Sequence, residues 1–198
     1  MENKNHLPEL DKDYWNNRWL AGATGWDVGY ATPPIVQFMQ QVPDKNIAIL
    51  IPGCGNAYEA AALLNLGFTN LTLIDIAPAA VANLQQLFGN QVTAVCTNFF
   101  HYEGSYDLVL EQTFFCALNP SLRKNYVAKM HQLLNTNGKL AGVLFSTRFP
   151  DPGPPFGGTK PEYRQLFWSG FKIIHLEACY NSIPQRKGRE LFIELIKK

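Results

Sequence analysis

A short apolar run, Ile47 to Ile51, ends at Pro52 and gives way to Gly53-Cys54-Gly55, and a helix-like segment opens behind it at Asn56 to Glu59. This is a strand entering a tight loop that leads into a helix N-terminus. Such a junction lets backbone N–H groups approach a ligand closely, because Gly has no Cβ and tolerates φ > 0. A Gly-x-Gly alone constrains little. It becomes restrictive here because the next apolar stretch, Leu71 to Asp75, ends in a carboxylate 22 residues after Gly53. That pairing is how an open α/β sheet holds a nucleoside at its switch point, with the carboxylate on the ribose hydroxyls.

The rest of the chain supplies the alternation such a sheet needs. From Asp11 to Leu20 the pattern suits a helix, with Trp15 and Trp19 on one face. Trp26 to Gly29 form a loop, and Pro33-Pro34 open a second helix over 35–41, since Pro suits a first turn. Further helices are expected over 57–66, 78–88, 120–134 and 162–168, and strands over 71–76, 92–96, 106–112, 140–146, 171–178 and 191–197. With the glycine-loop strand this makes an α/β fold: a doubly wound, seven-stranded, mainly parallel sheet covered on both faces. The last two strands are joined by a loop alone, so they form an antiparallel hairpin and leave one antiparallel edge strand. No internal repeat or interdomain linker interrupts the pattern. Residues 1–198 read as one domain, with a mobile arm over 1–10, lid helices to residue 41 and the α/β core over 42–198.

Composition narrows the function classes. A hydrophobic share of 46% and a charged share of 17% suit a compact soluble protein. The net charge of +1 argues against nucleic acid or an anionic membrane as the main partner. No apolar run approaches the ~18 residues of a membrane helix, and the polar N-terminus has no signal-peptide core. The four cysteines, Cys54, Cys96, Cys116 and Cys179, show no C-x-x-C spacing, which fits a reduced cytoplasmic setting. The four histidines show no metal-binding spacing, so no metal is expected. Three of the four Trp lie within the first 26 residues. They read either as a helix docked on the core or as a lid over the glycine loop.

Ligands of such sheets sit beyond the carboxyl ends of the strands. Those ends carry Gly53 and Gly55, Asp75, Asn98-Phe99-Phe100 and Glu111-Gln112 in turn. This suits a nucleoside: backbone contacts, a ribose carboxylate, an amide and an aromatic for the base, and polar groups for the remainder. A dinucleotide loop reserves the third position after its second Gly for a small residue, and here that position is Tyr58. The Gly-Lys-Ser/Thr of a P-loop is also missing. An uncharged linkage fits better than a pyrophosphate, and S-adenosylmethionine is such a ligand. Its sulfonium would be attracted to the faces of Trp15, Trp19 and Trp26.

The glycine loop, Asp75, the TNFF segment and EQTFFCALNP followed by RKNYVAKMHQLL resemble the thiopurine S-methyltransferase superfamily, in particular its halide/thiol/thiocyanate methyltransferase branch. YWNNRW, TGWDVG, GPPF and a terminal GRE match in order, from about Tyr14 to the C-terminus. The resemblance implies a seven-stranded methyltransferase fold with S-adenosylmethionine as methyl donor and a small-molecule methyl acceptor. It implies that Trp15, Trp19 and Trp26 cover the cofactor, that Gly53 meets its methionine part, Asp75 its ribose, and Asn98 and Phe99 its adenine. Glu111 would stand near the sulfonium and amino group. Four positions depart from the pattern. Asn98 replaces a usual Asp. Ala57 replaces a frequent Gly, read as a mild change. Glu111 is one methylene longer than the usual Asp. Gln112 stands where the thiopurine branch carries Arg.

Methyl transfer from a sulfonium is an in-line displacement at an already activated carbon, so the protein mainly orients the reactants. Halide and thiocyanate need no general base; a thiol, with a reference pKa of ~8.5, must ionise first. No base stands out in the sequence. Arg148, just past the fifth strand, would favour an anionic nucleophile, or is a solvated surface Arg. Phe115, Phe156 and Tyr30 are candidates to line an apolar acceptor pocket, or are plain core. The expectation is methyl transfer to a small soft nucleophile: a thiol or sulfide, thiocyanate or halide. O- or N-methylation and non-catalytic cofactor binding stand as the alternatives.

Overall fold

The structure, a computed structural model, describes residues 8–198, so most of the arm expected over 1–10 lies outside the described residues. Among these, seven strands form one sheet: β1 (Ile49–Pro52), β2 (Leu71–Asp75), β3 (Thr93–Cys96), β4 (Tyr106–Gln112), β5 (Leu134–Phe145), β6 (Phe171–Ala178) and β7 (Glu190–Lys197). Their order is β3-β2-β1-β4-β5-β7-β6. Strand order reverses at β1 and β4, which is the switch point where an open sheet leaves a crevice. All neighbours are parallel except at β7, which runs antiparallel to both β5 and β6. The expected hairpin therefore forms one edge of the sheet, and its reversed strand sits one place in. Inserting between β5 and β6 gives β7 a partner on each side.

Strands β1 and β2 are buried at every position. Ile49 and Ile51 point to one face and Leu50 to the other, and both faces are covered, so the run is continuously apolar rather than alternating. Helices α2 (Pro33–Gln40) and α3 (Tyr58–Asn65) cover the first face with Ile35, Met39, Ala60 and Leu63. The chain then forms α4 (Pro78–Phe88), whose Leu84 joins the same cluster. On the second face α5 (Arg123–Leu133) and α6 (Lys160–Phe167) set Tyr126, Met130, Leu133, Tyr163 and Phe167 against Leu50, Ile74 and Val109. The first helix, α1 (Lys12–Leu20), is capped by Asp11, whose carboxylate accepts the Tyr14 N–H at 2.8 Å, and it buries no residue.

Helix α2 starts at Pro33 rather than 35, α5 starts at Arg123 after a 3-10 turn over Pro120–Leu122, and two further boundaries have local causes. Helix α6 starts at Lys160, earlier than expected, because Thr159 and Glu162 form a reciprocal capping box. Strand β5 starts at Leu134, which pairs with Tyr106. Asn137 (φ 61°) and Gly138 make an irregularity inside that strand instead of ending the preceding helix.

Candidate active site

At the carboxyl ends of β1, β2, β3 and β4 the chain encloses one large cavity of about 1350 Å³. The expected residues Gly53, Gly55, Asp75, Asn98 and Phe99 all line it, as do Trp15, Trp19 and Trp26. A smaller groove of about 640 Å³ runs between α2 and the β6/β7 edge and shares no lining residue with this cavity.

The glycine loop is shaped by close approach. Gly53 has φ +56°, and a Cβ there would overlap the ring of Phe114. Only Gly allows the loop and that ring to share one edge of the cavity. Ala57, at the N-cap of α3, also has a left-handed backbone, with φ 49° and ψ 43°, and is buried. The replacement of Gly at this position is therefore more than the mild change the sequence suggested, since αL costs a non-Gly residue about 1–2 kcal/mol.

Asp75 ends β2 with its carboxylate held on both sides. Oδ2 accepts the Gly55 N–H at 3.0 Å and Oδ1 accepts the Ala77 N–H at 2.9 Å. A carboxylate has about four acceptor sites, so lone pairs remain on each oxygen for a ribose diol. Burial pushes its pKa up, and the backbone N–H groups of Ala77 and Gly55 oppose that shift. At the end of β3, the Asn98 Oδ1 accepts the Phe100 N–H at 2.9 Å, which turns the amide NH₂ outward as a donor. Phe99 lies beside it, edge-on to Phe114 at 5.0 Å between ring centroids.

The N-terminal Trp residues form an aromatic wall. Trp26 packs edge-on against Trp15 (5.5 Å) and against Trp19 (6.2 Å), and the Arg18 guanidinium lies 5.2 Å from a Trp26 ring. Helix α1 is tied to the start of α4 by the Ala79 N–H, which donates to Asn16 Oδ1 at 2.9 Å. The loop after α1 is latched to the glycine loop. Asp27 Oδ2 accepts from Asn56 Nδ2 at 2.6 Å and from the Tyr58 hydroxyl at 3.2 Å. Tyr58, the residue that argued against a dinucleotide, thus holds the Trp loop in place.

The remaining expectations are placed differently. Glu111 does not line the cavity; it is fully buried behind it. Its Oε1 accepts the N–H groups of Phe114 (2.8 Å) and Phe115 (2.9 Å), and its Oε2 accepts the Tyr126 hydroxyl at 2.5 Å. Burial raises its pKa to about 7, against the lowering effect of those donors. The extra methylene lets the carboxylate reach back and cap the turn that presents Phe114. Phe115 is core, 1% exposed and packed edge-on against Tyr126 and Tyr163. Tyr30 is 45% exposed and outside the cavity. Arg148 is exposed and does not line it either. Phe156 contributes no wall; its backbone N–H donates to the Cys116 carbonyl at 2.7 Å and pins the Pro-rich loop to the turn after β4.

Other cationic residues line the cavity where Arg148 does not. Arg186 and Arg189, just before β7, line the cavity together with Phe145, Phe149, Pro154 and Pro155. Arg186 is only 8% exposed. Its Nη2 donates to the Trp26 carbonyl at 3.1 Å. Its Nη1 stands 3.6 Å from Glu190 Oε1, an ion pair too long for a direct hydrogen bond, and has no hydrogen-bond partner among the described residues. A buried donor left unpaired costs about 1–3 kcal/mol. No local pattern marks Arg186, because a 3-10 turn at Pro184–Arg186 and the β7 insertion bring it to the cavity. The neighbouring GRE motif is the nearest sequence signal.

A doubly wound sheet with this cavity at its switch point defines a Rossmann-like ligand-binding fold. The chain belongs to the thiopurine S-methyltransferase family, whose profile matches residues 10–196. It is 31% identical to the probable thiol methyltransferase 2 of Arabidopsis thaliana over 93% of this chain and 84% of that one. It is 29% identical to thiocyanate methyltransferase 1 of Brassica oleracea, over 93% and 85%. A thiopurine S-methyltransferase of Vibrio campbellii is 23% identical, over 93% and 95%. Among solved structures, the fold resembles the Burkholderia thailandensis 1,6-didemethyltoxoflavin-N1-methyltransferase with bound S-adenosylhomocysteine. That match has a TM-score of 0.75 at 19% identity, covering 94% of this chain and 87% of that one. Magnesium protoporphyrin IX methyltransferase of Synechocystis with bound S-adenosylmethionine gives a TM-score of 0.75 at 15% identity, over 98% and 100%.

The protein is an S-adenosylmethionine-dependent methyltransferase. Its residues fit that cofactor: a backbone cradle at Gly53 that a Cβ would fill, lone pairs on Asp75, an outward amide at Asn98 and Trp rings for a cation. Ligand pockets commonly span about 300–1,000 Å³. A cavity of about 1350 Å³ therefore has room for a nucleoside-sized donor and a small acceptor together.

Proposed function

We propose that the protein methylates a small, anionic, soft nucleophile: a thiolate or bisulfide, thiocyanate, or a halide. The carrying observation is that Arg186 and Arg189 line one end of the cavity beside apolar rings, at the end where no described Asp, Glu or His lines it. The cavity's carboxylates are Glu9, Asp11, Asp27 and Asp75, from the N-terminal segment and β2. Among the described residues, the loops after β4 and β5 and before β7 add Phe114, Leu118, Phe149 and both arginines, with no Asp, Glu or His. An alcohol or amine acceptor that must lose a proton would find no general base at that end. An anion finds a guanidinium and apolar rings.

In this reading Asp75 receives the ribose hydroxyls, and the Asn98 amide donates to a ring nitrogen of the adenine, which Phe99 flanks. Trp15, Trp19 and Trp26 close over the sulfonium as a lid. S-adenosylmethionine supplies a methyl carbon made electrophilic by its sulfonium. The nucleophile's lone pair forms the new bond to that carbon while the C–S⁺ bond breaks and its electrons return to sulfur. The protein fixes the line of attack, keeps water out with Trp and Pro walls, and holds the acceptor as an anion beside Arg186. Glu111 acts one step back, fixing the turn that carries Phe114.

The four cysteines are free thiols, which supports a reducing, cytoplasmic location. No helix among the described residues is long and apolar enough to cross a membrane. The acceptor reading is tested by product analysis over a panel of bisulfide, thiols, thiocyanate and iodide against alcohols and amines. Methylated sulfur or halide products are expected. Methylation confined to oxygen or nitrogen would overturn the reading.

A further inference from the structure

The amino-acid tail of S-adenosylmethionine carries an ammonium and a carboxylate, and Asp75, Asn98 and Phe99 answer to neither. With adenine at the end of β3 and ribose at the end of β2, the tail continues along the strand ends to the glycine loop after β1. Glu111 cannot receive it there, because its oxygens are buried against Phe114, Phe115 and Tyr126. Asp27 stands at that place instead. It lines the cavity, and Asn56, which holds its Oδ2, directly follows Gly55. Its Oδ2 also accepts from the Tyr58 hydroxyl, and its Oδ1 accepts the Gly29 N–H at 2.8 Å. All three donors are neutral, so the carboxylate keeps its charge, and one of its about four acceptor sites remains, on Oδ1. The Arg18 guanidinium lines the same cavity, 5.2 Å from the Trp26 ring and 5.8 Å from that of Tyr14. Its Nε is buried with no hydrogen-bond partner. Neither Arg18 nor Asp27 has an ion-pair partner among the described residues, and they do not pair with each other. Half-buried charges kept apart without counter-ions cost the empty fold desolvation energy that a ligand of matching charge recovers.

We infer that Arg18 and Asp27 clamp the zwitterionic tail of the cofactor, the ammonium donating to Asp27 Oδ1 and the carboxylate accepting from the Arg18 guanidinium. The inference rests on the reading above that Asp75, Asn98 and Phe99 seat the nucleoside. Both contacts are charge-assisted, and a guanidinium matches a carboxylate with two parallel donors. The bonds from Asn56, Tyr58 and Gly29 hold the Asp27 carboxylate in one direction, so its last lone pair is aimed before the ligand arrives. The Trp loop then has two tasks: its rings cover the sulfonium, and the charges around Trp26 grip the tail. A tail held at one end and a ribose held at the other fix the sulfur between them.

The test is calorimetric titration with three thioether nucleosides: S-adenosylhomocysteine, which has the whole tail, its decarboxylated analogue, which keeps only the amine, and 5′-methylthioadenosine, which has neither group. Asp27→Asn keeps an oxygen for Asn56 and Tyr58 but removes the charge. It should weaken S-adenosylhomocysteine and the decarboxylated analogue about ten-fold or more and leave 5′-methylthioadenosine unchanged. Arg18→Gln should weaken S-adenosylhomocysteine by a similar factor and leave the other two unchanged. Equal losses for all three ligands would make Arg18 and Asp27 supports of the Trp wall and overturn the inference while the nucleoside reading stands. Undiminished S-adenosylhomocysteine affinity in either variant would also overturn it. Failure of the wild type to bind any of the three would instead refute the nucleoside reading on which the clamp depends.

Discussion

Single residues around the cavity carry separable roles. Asp75→Ala removes an acceptor for the ribose diol and an anchor for the Gly55 and Ala77 N–H groups. Hydrogen bonds to a charged group are worth about 1.5–3 kcal/mol, so S-adenosylhomocysteine affinity should fall about 10- to 100-fold by calorimetry. Unchanged affinity would remove Asp75 from the site. Ala57 tests a strained position instead. Ala57→Gly relieves the left-handed backbone, offset in part by the greater freedom Gly has when unfolded. A gain of about 0.5–1 kcal/mol in denaturant unfolding is expected; a loss would mean that the methyl group's packing outweighs the strain. The Gly loop and Asp75 were legible in the sequence because a close backbone approach and a strand-end carboxylate leave few alternatives. Phe115 was misplaced because an aromatic beside a site and an aromatic in the core look the same in one dimension.

At the scale of elements, α1 and the turn after β4 are the two pieces the cavity depends on most. Helix α1 buries no residue and presents Trp15 and Trp19 to the cavity. Trp19→Ala should therefore weaken S-adenosylhomocysteine binding more than it lowers the melting temperature, and the reverse order would favour simple docking on the core. The turn after β4 hangs on Glu111. Its pKa is raised from 4.5 to about 7 in the fold, so between those values the folded protein binds more protons than the unfolded chain. The stability tied to this group is present below about pH 4.5 and lost as pH rises through about 7. Glu111→Gln should flatten that part of the stability profile measured by urea unfolding, and an unchanged slope would refute the assignment. The long reach of Glu111 into the turn was invisible in the sequence, where its strand-end position argued for ligand contact. The early start of α6 was missed in the sequence reading, although the Thr159 and Glu162 spacing of a capping box carries it.

For the whole molecule, element order and the switch point followed from alternation of apolar runs and glycine stops, since each run matches a strand or helix that both core faces require. What the sequence left hidden is long-range: the insertion of β7 between β5 and β6, and with it the delivery of Arg186 to the cavity. Arg148 was the nearer choice along the chain, yet it points to solvent, because the Pro-rich loop turns back on Cys116 through Phe156. The anionic reading has a consequence in pH. Methylation of a thiol should quicken as pH rises toward the thiol's own pKa of ~8.5, while thiocyanate, already an anion, should give a flat profile over the same range. A flat thiol profile would mean that the site itself ionises the thiol. The most direct measurement is a crystal structure of the protein with S-adenosylhomocysteine and iodide, the halide located by its anomalous scattering. The account predicts the ribose on Asp75, the adenine beside Asn98 and Phe99, and the iodide at the end of the cavity lined by Arg186 and Arg189, on the side facing the sulfur. A nucleoside seated elsewhere, or iodide bound away from both arginines, would contradict it.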